Sequence, residues 1–326
     1  MTYTEREIGD WSKLGAKKIV GVALSRVAEI DENFVVASAD VGRRFGLESL
    51  QNKKPDVCFE IGIAEQNMIG VVSGMAHEGL NPFAITYAPF ITARVLDQIR
   101  VNLGMMKLGV KLIGSAAGLA AGDLTASLMA IEDIAIIRGI PGITIISPAD
   151  AMEIVKAIVA VGKTSNPTYI RLTGGKQLPI VYSSDYEFVI GKAIQLRKGS
   201  DIAILATGTV VYESLQAAEI LMEDNISCSI WNFHTIKPLD YDAIKCMSGY
   251  KLIVTVEEHN IIGGLGGAVA ECLAENIDMP MLMRIGINDE YLKADSYSNL
   301  KQKVGLTPMG IAKRIENFLR RIDDEG

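Results

Sequence analysis

The stretch FEIGIAEQNMIGVVSGMAHEG, residues 59–79, begins with the apolar pattern of a strand and ends with that of a helix. After the junction Ala64, Met68, Val71, Val72 and Met75 recur at three- and four-residue spacing, which puts one apolar stripe on one helix face. The junction itself carries a single carboxylate, Glu65, among Ile61, Ile63, Met68 and Ile69. An acid in the first turn of a helix ordinarily complements the helix dipole. An acid enclosed by apolar groups and aromatic rings instead resists ionisation and can bond a basic ring nitrogen. The residues alone leave both readings of Glu65 open.

Outward from this stretch, short apolar runs alternate with helical patterns. Strands are expected at 33–40, 57–63, 82–88, 110–118 and 143–150, then at 201–209, 227–233, 251–258 and 281–287. The runs are continuous rather than alternating, as in parallel strands covered on both faces. The expected fold class is therefore α/β, with two consecutive open, mostly parallel sheets. The polar segment 173–188 interrupts the rhythm. It divides the chain into a first unit over 1–180, a linker at 181–189 and a second unit over 190–326. Ligands of such sheets sit beyond the carboxyl ends of the strands. Asp40, Glu65, Tyr87, Phe90 and Asp150 all fall just past an expected strand end.

Bulk properties narrow the function classes. A net charge of −7 with no basic run gives no electrostatic footprint for nucleic acid or an anionic membrane. No run of ~18 apolar residues exists, so no membrane span is expected. The four cysteines are widely separated without a CxxC pair and the chain opens with no signal-peptide pattern, which together suggest reduced, mostly buried thiols in a cytoplasmic protein. Three histidines, His77, His234 and His259, are too few for an obvious zinc site, and no metal is assigned to this chain. His77 reads as a helix-end residue and His234 as a loop residue, whereas His259, after VEE, could line a site. The glycine-rich IIGGLGGAVAE (261–271) lacks a Walker lysine and reads as a tight turn before a closely packed helix.

The stretch 62–100, GIAEQNMIGVVSGMAHEGLNPFAITYAPFITARVLDQIR, resembles the pyrimidine-binding domain of transketolases, and 131–154 continues the likeness. FHTIKPLD (233–240), TVEEHNIIGGLGGAVAE (255–271) and residues 284–315 resemble the C-terminal domain of the same family. The resemblance implies a thiamine-diphosphate-dependent transfer of a two-carbon ketol or acyl unit to an aldehyde or ketone. It also implies a separate N-terminal subunit that carries the diphosphate-binding Gly-Asp-Gly…Asn segment and a Mg2+ or Ca2+ ion. The cofactor would be shared across that interface, commonly in an α2β2 heterotetramer acting on small molecules. Glu65 would bond the N1′ nitrogen of the aminopyrimidine and promote the imino form that takes the C2 proton. Phe90 would stack on the ring, Tyr87 and Ile63 would flank it, Asp40 would lie near the thiazolium, and His259 is the other expected catalytic group.

The likeness breaks where the family holds a sugar phosphate. Leu128 stands at the usual histidine, Leu124 or, with a slip of one, Asp123 at the usual aspartate, and Gly174 at the usual arginine. Ordinary ketose phosphates are therefore doubtful substrates. Arg44, Arg94 and Lys17, with Asp123, are the expected substrate-binding replacements. The β subunit of a 2-oxoacid dehydrogenase and a non-catalytic scaffold share the architecture and stand as alternatives. HTIKPLD favours a transketolase over the first, and retention of Glu65, Phe90 and Asp40 argues against the second.

Overall fold

The computed structural model describes residues 3–325. The first sheet contains β1 (Phe34–Ser38), β2 (Cys58–Glu60), β3 (Asn81–Tyr87), β4 (Lys111–Ser115), β5 (Thr144–Ile146) and β6 (Thr168–Leu172), all parallel, in the spatial order 5-6-4-3-1-2. The second contains β7 (Ile194–Arg197), β8 (Ile202–Thr207) and β9 (Cys228–Asn232), followed after one excursion by β11 (Leu252–Asn260) and β12 (Met281–Ile287). Its order is 12-11-8-9-7, with only β7 antiparallel. The excursion is β10 (Thr235–Lys237), which leaves the second unit and pairs antiparallel with β5 as the seventh strand of the first sheet. The α/β class with two open sheets stands; the two sheets are joined by this crossing strand rather than independent.

Helices cover both faces, as continuous apolar strands require. Glu5–Ile30 and Ala151–Gly162 pack on one face of the first sheet, and Glu65–His77 on the other. The first of these breaks at Gly15, where φ is 73° and the Lys176 carbonyl approaches too closely for any side chain. The backbone of 173–190 is irregular, yet it is no loose tether. Leu178 and Tyr182 are buried in the first core, Tyr182 and Tyr186 stack at 4.1 Å, and Asp150 accepts the Val181 and Tyr182 amides.

The two units also meet through buried charge. Arg171 on β6 donates to both oxygens of Asp133, at 2.8 and 3.0 Å, and to the Glu258 carbonyl of β11 at 2.7 Å. Tyr169 donates to Asp133 at 2.6 Å, and neither member of the ion pair is exposed. No helix among the described residues is long and apolar enough to cross a membrane.

Candidate active site at the carboxyl rim of the first sheet

The rim is built where β1, β2 and β3 end. β2 is shorter than the apolar run 57–63 suggests, because Gly62 at φ 79° turns the chain out of the sheet after Glu60. The turn leaves Ile63 77% exposed and delivers Glu65 as the first residue of Glu65–His77. Glu60, which sequence pattern alone does not single out, organises this corner. One of its carboxylate oxygens accepts the Asp40 N–H at 2.7 Å and the Gly62 N–H at 3.0 Å; the other accepts the Ser38 hydroxyl. Asp40 is thereby held at φ 58° just past β1, with its side chain exposed. An acid ending a strand two residues before a glycine was the available signal.

Glu65 is only 4% exposed, but it is not an isolated acid in an apolar pocket. Arg94 Nη1 donates to its Oε1 at 3.1 Å, and Oε2 takes no hydrogen bond from the described residues. The same guanidinium lies 3.9 Å from the centroid of the Phe90 ring. Phe90 meets Tyr87 edge to face at 6.1 Å and 81°. Lys17 Nζ sits 4.7 Å over the Tyr87 ring, and Arg44 Nη1 donates to the Tyr87 hydroxyl at 3.2 Å. Glu65, Arg94, Phe90, Tyr87, Arg44 and Lys17, all expected from the sequence, thus form one connected run. Tyr87 ends β3, and Phe90 lies in the single turn Ala88–Ile91 that follows it, which aims both rings across the rim.

Two expected residues lie elsewhere. Asp123 is exposed in the turn before Ala126–Leu128 and has no hydrogen bond or ion pair to this run among the described residues. His259 is fully buried, because β11 continues to Asn260 and keeps it inside a strand. The Ala135 N–H points at Nε2 at 3.4 Å and Nδ1 lies 2.6 Å from the Asn260 carbonyl, a pattern that suits the neutral Nδ1-protonated tautomer. Burial pulls its pKa down to about 4, and its neighbours are Asp133 and Glu257 rather than Glu65. His259 belongs to the contact between the units, and the structure does not bring it to the rim. His234 is likewise buried, stacked 4.3 Å from Phe188. The glycine-rich loop serves an internal anion: the Leu265 and Gly266 amides donate to Glu257 at 2.7 and 2.8 Å. Burial pushes that carboxyl up to about 7.

A cavity of about 560 Å³ opens at the opposite, amino ends of β3 and β4 beside Asn81 and Lys111, away from this rim. At the rim a smaller hollow of about 250 Å³ lies between Ser38, Asp40, Gln51 and Glu60. No cluster of three or more metal-ligating side chains occurs among the described residues.

Residues 12–177 match the transketolase pyrimidine-binding domain, and residues 191–311 match the transketolase C-terminal domain. The chain belongs to the transketolase family. It is 38% identical over 309 residues to a transketolase C-terminal section of Methanocaldococcus jannaschii, covering 94% of this chain and 97% of that one. A 6-deoxy-6-sulfo-D-fructose transketolase subunit of Clostridium sp. is 37% identical, with 91% and 92% covered. One of the subunits of the apulose-4-phosphate transketolase of Phocaeicola vulgatus is 35% identical, with 94% and 98% covered. Among solved structures, a split-gene transketolase described as an inactive β4 tetramer superposes with a TM-score of 0.86 at 31% identity, covering 93% and 98%. The chain is thus a transketolase-type transferase whose family implies thiamine diphosphate, and the relatives it matches along most of their length are named as a C-terminal section or as subunits. The rim suits the pyrimidine end of that cofactor: a buried carboxylate with one oxygen open stands beside an aromatic face.

Proposed function

We propose that this chain builds the aminopyrimidine half of a thiamine diphosphate site and the anion-binding end of its substrate pocket, in an enzyme that moves a two-carbon ketol unit from an unusual ketose. The observation that carries this reading is the connected run from Glu65 through Phe90 and Tyr87 to Arg44 and Lys17. When bound, thiamine diphosphate supplies a nucleophilic carbon and the electron sink for breaking a bond beside a ketone. Glu65 holds a proton at the ring nitrogen through a carboxyl group fixed at the start of a helix and shielded from water. Phe90 offers a flat face that orients the ring, with Tyr87 and Ile63 at its margin. Asp40, anchored through its amide by Glu60, would offer a carboxylate to the thiazolium end of the cofactor.

Lys17 and Arg44, both drawn to Tyr87, make the rim beyond the aromatic pair positive. That suits a donor or acceptor ending in phosphate or sulfonate, the groups carried by the sugars for which two relatives are named. Leu128 and Gly174, where the family usually has a histidine and an arginine, favour a substrate other than xylulose 5-phosphate. The diphosphate and its Mg2+ or Ca2+ are assigned to the partner, in an α2β2 assembly.

The test is to purify the chain with its N-terminal partner and titrate thiamine diphosphate, then follow transfer from sulfonated and phosphorylated ketoses. Glu65→Gln should keep cofactor binding and lose about 10²–10⁴-fold in turnover. Equal turnover by Glu65→Ala, or a partnered complex that never binds the cofactor, sinks the reading. Acyl transfer to a lipoyl domain would move it to the 2-oxoacid dehydrogenases.

A further inference from the structure

The cation at Glu65 makes a second proposal, which rests on the cofactor reading of Glu65 and Phe90. An aminopyrimidine in this site needs a flat face against Phe90 and a hydrogen bond with Glu65. The Arg94 guanidinium already makes both contacts, lying 3.9 Å from the Phe90 ring centroid and donating to Glu65 Oε1 at 3.1 Å. Guanidinium is planar, stacks on aromatic faces and presents N–H groups at its edge, so it copies the shape of the heterocycle, and its N–H takes the place of the proton that Glu65 would share with the ring nitrogen. A carboxylate can accept more than one hydrogen bond, so the ion pair alone excludes nothing. The stacking decides, because one ring face takes one planar group at a time.

The two partners differ in mobility. Glu65 has a 5% exposed side chain, whereas that of Arg94 is 45% exposed. Its backbone is tied by Gln66 Nε2, which donates to the Arg94 carbonyl at 3.4 Å. The guanidinium can therefore swing into water while the main chain stays in place. We propose that Arg94 stands in for the aminopyrimidine ring in the cofactor-free chain and is displaced when thiamine diphosphate binds. While in place it neutralises the buried Glu65 and holds Phe90 in position. Arg94 therefore sets the affinity for the cofactor, and it is not a substrate ligand in the resting chain.

The test uses the full chain assembled with its partner subunit and reads thiamine diphosphate affinity by titration calorimetry, not turnover. Arg94→Ala should bind the cofactor about tenfold more tightly than wild type at low salt, a difference of about 1.4 kcal/mol. Arg94→Gln, which keeps a donor without the charge, should fall between them, and it carries the test if the alanine variant fails to assemble. Added salt weakens the Arg94–Glu65 pair, so the gap between wild type and Arg94→Ala should close as salt rises. Affinity of Arg94→Ala equal to or weaker than wild type would overturn the proposal while leaving the cofactor reading intact. A wild-type complex that fails to bind thiamine diphosphate overturns the cofactor reading and this proposal with it.

Discussion

Replacing Glu60 tests how the rim is held. Its carboxylate collects the Asp40 and Gly62 amides on one oxygen and the Ser38 hydroxyl on the other. Two of these donors belong to residues at positive φ, Asp40 at 58° and Gly62 at 79°. Glycine adopts that conformation freely, whereas an aspartate gives up on the order of 1 kcal/mol to stay there. Each hydrogen bond is worth about 0.5–1.5 kcal/mol net, and because Glu60 is exposed, water recovers part of every one when the side chain is removed. Glu60→Ala should then cost about 1–2 kcal/mol of local order at Asp40, with little change in the melting temperature. In the partnered complex this corresponds to about 5–30-fold weaker thiamine diphosphate binding. Glutamine offers one oxygen for both amides and an N–H for Ser38 Oγ, so Glu60→Gln should stay within about twofold of wild type. Titration calorimetry of the three proteins, each with a melting curve, separates the outcomes. Equal loss in the glutamine and alanine variants would refute the hydrogen-bond argument, and an unaffected alanine variant would show that Asp40 holds its conformation without Glu60.

Two further perturbations address the contact between the units. Arg171→Met leaves Asp133 buried with only Tyr169 as a donor and His259 nearby, so it should destabilise the chain by about 3–5 kcal/mol in urea unfolding; a loss below about 1 kcal/mol would mean that water reaches Asp133. Burial pulls His234 from 6.5 down to about 4, so between those pH values the unfolded chain takes up a proton that the folded chain refuses. Stability from this group is complete above 6.5 and is lost as pH falls toward 4. His234→Phe, which can keep the stack on Phe188, should therefore lower the slope of stability against pH in that window by about 1.4 kcal/mol per pH unit; an unchanged slope would show that His234 takes up its proton alike in both states.

Local pattern made the strand–helix junction at Glu65 legible, since the apolar stripe of Glu65–His77 is written in adjacent residues. The same holds for Tyr87 and Phe90, which follow an apolar strand directly. What stayed hidden depends on residues distant in sequence. Arg94 reaches Glu65 only because β3 and its following turn bring the chain back across the rim, 29 residues later. β10 is a three-residue strand with no period of its own, and its partner β5 is about 90 residues away, so no local signal marks it. His259 read as a group that could line a site because the expected strand stopped at 258, whereas β11 runs two residues further and the ring is fully buried.

The two carboxylates with arginine partners show why position along the chain does not by itself separate a site from a scaffold. Asp133 and Glu65 each open a helix, each is buried, and each faces one arginine. Arg171 has no exposed surface and is also bonded to the Glu258 carbonyl of the second unit, so its pair with Asp133 cannot open without parting the two units. Arg94 is nearly half in water and rests on a ring, so its pair with Glu65 opens by rotating one side chain. A buried acid whose counter-ion can leave becomes available to a ligand, whereas one whose counter-ion is locked remains structural. By that criterion Glu65, unlike Asp133, Glu257 or His259, is able to exchange an internal partner for a bound ring.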